Sequence, residues 1–407
     1  MTWTRRCVLT GAIGLGVATL AGCLGNNKTS RALPETPSGR WEQAGHDAGN
    51  TCVSDVTVPA RGTLAWEGGT AGTIQPIAAG ETVFSVGDAL TALDARTGDQ
   101  RWQRDPGIES PGGAVTGPAV TDEHVLLGVK DQLLAYTRED GTKNWTLSTD
   151  GRLSGSVAVG PGHNLGVVPV ERAPPRVGEL LAFDPSTGER RWTASLVVPP
   201  QAGAPAVTET QVYGVGYAAD NRAVIRGFDA TTGERIWKHT LEEPETPPVA
   251  TPEGVFAGDN GTLRRFSHAG GGGRVVFDPT GENGNLRGVA LAEGTAFVLS
   301  SSGLAAVSAG DGTREWSLDA DPRSAGVSVG RETVVAPVSS DEFDLDTAWP
   351  CIAALDRATG AVRWYHPLDD AFDPVISTPP VIADGAVFYT GNTTSGVTAL
   401  GDLPPAE

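Results

Sequence analysis

The chain has 407 residues, with 49 Asp and Glu against 30 Lys and Arg and a formal charge of −19. The carboxylates are dispersed through the chain, and this excludes a nucleic-acid groove or an anionic membrane surface as partner, since both need clustered Lys and Arg. Only four lysines (Lys28, Lys130, Lys143 and Lys238) stand beside 26 arginines, a balance that resembles salt-adapted prokaryotic proteins, whose carboxylates keep the surface hydrated.

The first residues read as an address. Thr4-Arg5-Arg6-Cys7-Val8-Leu9 has the paired arginines and following apolar residues of a twin-arginine export signal. The apolar stretch from Val8 to Leu24 is short and broken by glycines, whereas a spanning helix needs about 20 apolar residues. It ends in Leu20-Ala21-Gly22-Cys23, which looks like a lipobox, so Cys23 is expected to carry the lipid and to begin the mature protein. Removing residues 1–22 takes away Arg5 and Arg6, and the mature charge becomes 28 minus 49, or −21. Residues 23–40, with Asn, Ser, Thr and two prolines, are expected to form a flexible tether. A lipid on such a tether holds a protein at the outer face of the cytoplasmic membrane without spanning it.

From residue 41 to 401 the chain repeats itself. Ala92-Leu-Asp94-Ala-Arg-Thr97-Gly98-Asp-Gln-Arg-Trp102 returns in the phrases ending at Trp192, Trp237 and Trp364, and more weakly at Trp145 and Trp316. A decayed copy, Leu263 to Phe277, has a glycine run and no tryptophan. The alternation before the Asp is a strand of period two, and Asp-x-x-Thr-Gly is hairpin chemistry: the side chains cap turn amides and Gly accepts positive φ. The tryptophan lies on the next strand, where its flat ring can pack across to a neighbouring unit. Ahead of each phrase stand two more short strands joined by a tight turn, as in Gly117 to Gly128.

Spacings of 36, 43, 47 and 45 residues from Trp66 through Trp237 match a propeller blade of four strands. Seven full units run from Gln75 to Trp364, and three more strands follow before residues 402–407, the C-terminal tail. The missing fourth strand stands at the other end, in Gly62-Thr-Leu-Ala-Trp66. The predicted fold is therefore all-β, an eight-bladed propeller whose last blade is closed by an N-terminal strand, leaving no bare edge.

This phrase resembles the PQQ-like (pyrrolo-quinoline quinone-like) propeller repeat, in which Ala-x-Asp-x-x-Thr-Gly-x-x-x-Trp docks one blade on the next. On that resemblance Trp66, Trp102, Trp145, Trp192, Trp237, Trp316 and Trp364 are the blade-docking residues. The opening Trp41-Glu-Gln-Ala-Gly-His46-Asp47-Ala-Gly-Asn50 is similar to the stretch that precedes the first blade in such proteins. The family implies two opposite roles. Quinoprotein dehydrogenases bind the quinone and Ca²⁺ and carry a vicinal cysteine pair, which this chain lacks, so no catalytic residue carries over. The other relative is an eight-bladed lipoprotein scaffold of bacterial outer-membrane protein assembly, similar in size, anchor and blade count. The expected function is a monomeric protein-binding or envelope scaffold; the alternative is a quinone-dependent oxidoreductase using the central channel.

The Asp-x-x-Thr-Gly hairpins and the first turns of the blades share one face and are tight, whereas the long connections share the other, where partner contact is expected. On that loop-rich face Phe343 and Trp349 are candidate anchors for a partner, and Asp341, Asp344 and Asp346 are weak Ca²⁺ candidates without the glycine of a calcium loop. The six histidines show no metal spacing. Cys52 and Cys351 form an even pair outside the cytoplasm and are expected to join in a disulfide between the N-terminal segment and blade seven.

Overall fold

The computed structural model describes residues 30–404, apart from 71, 109–114, 173–176, 197–202, 218–221, 280–284, 323–325, 340–349, 369–377 and 392–395. Eight antiparallel sheets are arranged as blades, the described helical content being one short 3-10 turn, Pro161–His163. No helix among the described residues is long and apolar enough to cross a membrane.

Blade 4 shows the plan. Ala206–Val207 lies innermost, followed outward by Gln211–Tyr217, Ala223–Asp229 and Arg235–Leu241. The inner strands are apolar on both faces because blades cover both sides, while the outermost strand sets buried Trp237 between exposed Ile236 and Lys238. Blade 8 consists of Val381–Ala383, Ala386–Thr390 and Val397–Gly401, with Thr63–Gly68 as its outermost strand, registered Thr63↔Gly401 to Gly68↔Val397. The ring is thus closed by a strand from the opposite terminus, as the count of strands predicts.

The repeated phrase builds the seams. In blade 1, Asp94 Oδ1 accepts from the amides of Arg96 (3.0 Å) and Thr97 (2.9 Å), and Gly98 N donates back to Asp94 O at 2.8 Å. Gly98 has φ +77, and a Cβ there would lie 2.7 Å from the Trp66 indole, so turn and docking both require glycine. In five seams the indole N–H donates to a carbonyl of the next blade's turn, that of the residue after the turn Asp or, in blades 2 and 5, after Thr137 and Ser267. Trp66 reaches Ala95 O (3.3 Å), Trp102 Arg138 O (3.0 Å), Trp192 Ala230 O (2.9 Å), Trp237 His268 O (2.9 Å) and Trp316 Arg357 O (2.9 Å). Trp145 packs on Gly188 but its Nε1 has no acceptor. Trp364 donates to Pro59 O at 2.7 Å, in the segment that returns the chain to blade 8.

One element of the phrase is visible only in three dimensions. The arginine before the tryptophan clasps the turn aspartate: Arg101–Asp94 at 2.8 Å, Arg191–Asp184 at 2.7 Å and Arg363–Asp356 at 2.7 Å. Blade 5, made of Val249–Thr251, Gly254–Asp259, Thr262–Phe266 and Gly272–Phe277, is the exception. Arg274 pairs with Arg265 in the register tryptophan occupies elsewhere, and it reaches blade 6 through Nη2 to Asp311 O at 3.4 Å.

Candidate functional site

The centre of the ring is held by the chain itself. Arg40–Trp41 runs antiparallel to the inner strand Ile77–Ala79 of blade 1 and so enters the channel from the tight-hairpin face. Residues 38–57 then make a full circuit, offering an acceptor to every blade in turn. Gly39 O accepts from Gly80 N in blade 1 (3.1 Å), Glu42 O from Val120 N in blade 2 (2.7 Å), and Gln43 Oε1 from Val159 N in blade 3 (2.6 Å). Ala48 O takes Val207 N in blade 4 (2.6 Å), Gly49 O takes Ala250 N in blade 5 (2.8 Å) and Thr51 O takes Leu291 N in blade 6 (3.0 Å). Cys52 O accepts from Val329 N in blade 7 (2.9 Å), and in blade 8 Ser38 O and Thr57 O accept from Asp384 N and Gly385 N, both at 2.8 Å. This strap leaves by the face it entered.

The residues of the strap fit its path. Trp41 is fully buried and meets the His46 ring edge-on at 4.9 Å, an aromatic peg in the axis. Asp47 Oδ1 accepts from the amides of Gly49 and Thr51 at 3.0 Å, and Oδ2 from Thr51 Oγ1 at 2.5 Å, which curls the chain back on itself. Burial alone would raise the Asp47 carboxyl, but the bonds and charge of His46 and the Thr51 bonds hold it below its ordinary value. A Cβ on Gly49 would fall 2.3 Å from Ala250 O, so only glycine passes blade 5 this closely.

The strap divides the channel into two chambers. The one on the tight-hairpin side is a cavity of about 890 Å³ lined by Glu42, Asp47, Glu209, Glu253 and Glu293 against a single arginine, Arg40. Two of its three histidines are committed within the fold. His163 Nε2 meets Glu42 at 3.0 Å, and His268 Nε2 donates to Thr251 O at 2.9 Å, so its Nδ1 accepts from the Tyr213 hydroxyl at 2.6 Å. Among the described residues no group of three or more His, Cys, Asp or Glu is placed to hold a metal.

The loop-side chamber, about 430 Å³, is lined by all eight blades where their inner strands begin, and is floored by Ala44, Gly45, Asn50 and Cys52 of the strap. Its wall is apolar and rich in glycine and proline, with Arg287 as cation and Glu245 as anion. Burial raises the Glu245 carboxyl, which accepts from Gly261 N at 2.8 Å. A planar tricarboxylate quinone needs a flat ring to stack on and several cations. The loop-side lining has no aromatic ring and one arginine, and the other chamber is acidic, so the described residues do not fit that cofactor.

The remaining predicted residues fall as follows. Cys52 and Cys351 are buried thiols not joined to each other, a correction to the expected disulfide. Cys52 lies on the strap inside Val329, while Cys351 heads the third strand of blade 7, Cys351–Asp356. Three sheet spacings separate them, roughly 14 Å, twice the reach of a disulfide. Burial, with Asp47 nearby, pushes the Cys52 thiol up to about 12, and burial pushes Cys351 up to about 11. The expected tether is bound over its described part: Leu33 is buried and Leu33 N donates to Arg96 O at 2.8 Å, beside Arg31 N to Ala65 O at 2.8 Å. Arg5, Arg6, Cys23, Asp341, Phe343, Asp344, Asp346 and Trp349 lie outside the described residues. Sequence reasoning missed the strap, whose only overt signals were Trp41 and the cluster Gly45 to Asn50 standing outside the repeat.

Comparison with known proteins places this architecture among the PQQ-like propellers. A family model described as outer membrane protein assembly factor BamB matches residues 53–217, 131–259 and 221–405, and the chain belongs to that family. No curated protein sequence matches. BamB from Moraxella catarrhalis aligns at TM-score 0.59 and 14% identity, covering 85% of this chain and 98% of that one. The quinohemoprotein alcohol dehydrogenase from Comamonas testosteroni aligns at TM-score 0.65 and 16% identity, covering 91% and 82%. A europium-containing methanol dehydrogenase aligns at 0.61 and 14% identity, covering 89% and 97%. At these identities the likeness is one of fold, and it spans a scaffold and two enzymes.

Proposed function

We propose that the chain is a monomeric scaffold, tied by a lipid on Cys23 to the outer face of the cytoplasmic membrane, that binds a protein or other envelope component through its loop-rich face. The observation that carries this reading is the path of the strap. The N-terminal segment leaves over the tight-hairpin rim, where Arg31 and Leu33 are bonded to blades 8 and 1. Cys23 stands eight residues before Arg31, a reach of at most about 28 Å in extended chain. An anchored lipid then keeps the tight-hairpin face toward the membrane and turns the loop-rich face outward. The acidic mouth on the membrane side is tolerable in strong salt, where screening acts within about 3 Å.

Filling of the axis by the chain's own backbone also moves binding from a through-channel to the faces. A quinone-dependent oxidoreductase remains the other role within the fold family, and the acidic lining of one chamber and the ring-free lining of the other speak against it. The test is site-specific photocrosslinking in salt-matched membranes. Probes at Arg287 and Thr378, on the loop side, are expected to capture a discrete envelope protein, and probes at Thr231 and Ala358, on the hairpin side, are not. Cys23→Ala is expected to release the chain from the membrane fraction. Capture from the hairpin side alone, or quinone-dependent dye reduction by the purified protein, would overturn the reading.

A further inference from the structure

The chain carries four Asn-x-Thr triplets, beginning at Asn27, Asn144, Asn260 and Asn392, the acceptor pattern for an N-linked saccharide in an exported protein. Asn27 and Asn392 lie outside the described residues. On the twin-arginine reading the chain crosses the membrane folded, so an acceptor must be exposed in the finished propeller. At Asn260-Gly261-Thr262 turn chemistry already explains the residues. Asn260 and Gly261 hold φ +48 and +78, and the Thr262 hydroxyl is spent on Asp259 O at 2.7 Å.

Asn144-Trp145-Thr146 has no such explanation. It lies on the outermost strand of blade 2, Lys143–Ser148, with Asn144 and Thr146 both exposed and the outer edge unpaired among the described residues. Asn144 fills the bulge before the docking tryptophan, the place where blades 1, 3 and 7 put the arginine that clasps the turn aspartate. Blade 2 has no such pair to make, because Thr137 stands at the turn and its carbonyl takes Gly141 N at 2.9 Å. The Asn144 amide is nonetheless oriented. Burial, partly offset by Glu123, holds His124 below its ordinary value, so the ring is neutral and its Nε2 accepts from Asn144 Nδ2 at 2.8 Å. Nδ2 carries two hydrogens, one for this bond and one left over. The Thr146 hydroxyl has no partner among the described residues.

We infer that Asn144 is the acceptor of an N-linked oligosaccharide. In the transfer Asn144 Nδ2 bonds to C1 of a sugar carried on a lipid phosphate, and the C1–O bond to that phosphate breaks. The lipid phosphate leaves with the electron pair, the displaced amide proton passes to a base of the transferring enzyme, and the remaining N–H keeps the His124 bond. Asn144 stands three residues past Gly141 of the tight hairpin, toward the rim that the anchor holds near the membrane, where a lipid-borne donor is within reach. The inference rests on that anchored, exported reading and adds a modification to it. A bulky hydrated saccharide on this edge also blocks strand pairing between copies.

The test is mass spectrometry of the tryptic peptide 144–152 from the full chain, isolated from salt-matched membranes of its own cells. The peptide is expected to carry a saccharide that deglycosylation removes. Thr146→Ala, which leaves Asn144 and its bond to His124 in place, is expected to lose the saccharide; Thr146→Ser is expected to keep it, and Asn260→Gln to leave it unchanged. A bare peptide in the anchored chain, or a saccharide that survives in T146A, would overturn the acceptor. If the peptide is bare while Cys23→Ala still releases the chain from the membrane fraction, only the acceptor is wrong. A chain that keeps residues 1–22 and stays in the cytoplasm removes the anchored reading and the acceptor together.

Discussion

The outer girdle and the axis of this propeller are built on opposite principles. The girdle is one phrase written repeatedly, six tryptophans packed on the glycine of the next hairpin and Trp364 on Gly62, so the loss of a copy at blade 5 is local. The axis is written once, in residues 38–57, and touches every blade. A repeated contact gives a ring its closure, while a unique segment gives that ring an inside, so damage at the axis should spread where damage at the girdle should not.

The comparison can be broken most sharply at Trp41. Trp41→Ala removes a fully buried indole from the core that the strap shares with blades 1, 6, 7 and 8, and a loss of roughly 3–5 kcal/mol is expected by denaturant unfolding. The same change at the girdle, Trp192→Ala, should cost about 3 kcal/mol and leave hydrogen exchange of blades 6 to 8 unaltered. Gln43→Ala leaves Val159 N without its acceptor, with an expected cost of roughly 1–3 kcal/mol. Arg274→Ala, at the seam that already lacks tryptophan, should stay within about 0.5 kcal/mol of the parent. Equal sensitivity of blade 5 and blade 4 seams would show that the repeat does not set the girdle's strength.

Acid offers a further test, of the turn aspartates of the girdle. The Ser186 and Arg191 bonds hold Asp184 down to about 2, and those of Arg363 and Thr359 hold Asp356 down to about 2. Unfolded aspartate titrates near 3.9, so the stabilisation from these pairs is present above about pH 4 and is lost as pH falls toward 2. An unfolding midpoint that falls over this interval, and falls less steeply in Asp356→Asn, is the expected result. The two thiols give the smallest signal: both should resist a thiol reagent in the native state at pH 8 and react together only on unfolding.

The contrast also explains what could be read from the sequence. Blade number, strand order and closure by Thr63–Gly68 were legible because repetition lets weak strand signals add, and because three strands at one end call for a fourth at the other. The arginine clasp, Arg101 to Asp94, escaped notice because the Asp and the Arg lie seven residues apart on different strands. The strap was illegible for a deeper reason: its bonds to seven of the eight blades run from backbone carbonyls, which carry no residue identity, and blade 3 is met by a side chain, that of Gln43. Cys52 was misplaced by the same gap, since its position follows from the circuit and not from its distance to the closing strand.

The direct test of the strap is hydrogen exchange of the segment from Trp41 to Thr57 in the intact chain under native salt. A circuit bonded to all eight blades predicts protection of Cys52 and Ser54, whose amides reach Gly45 O and Val329 O at 2.8 Å, comparable to that of the inner strands. Exchange of this segment at the rate of an unfolded peptide, with the blades still protected, would contradict it.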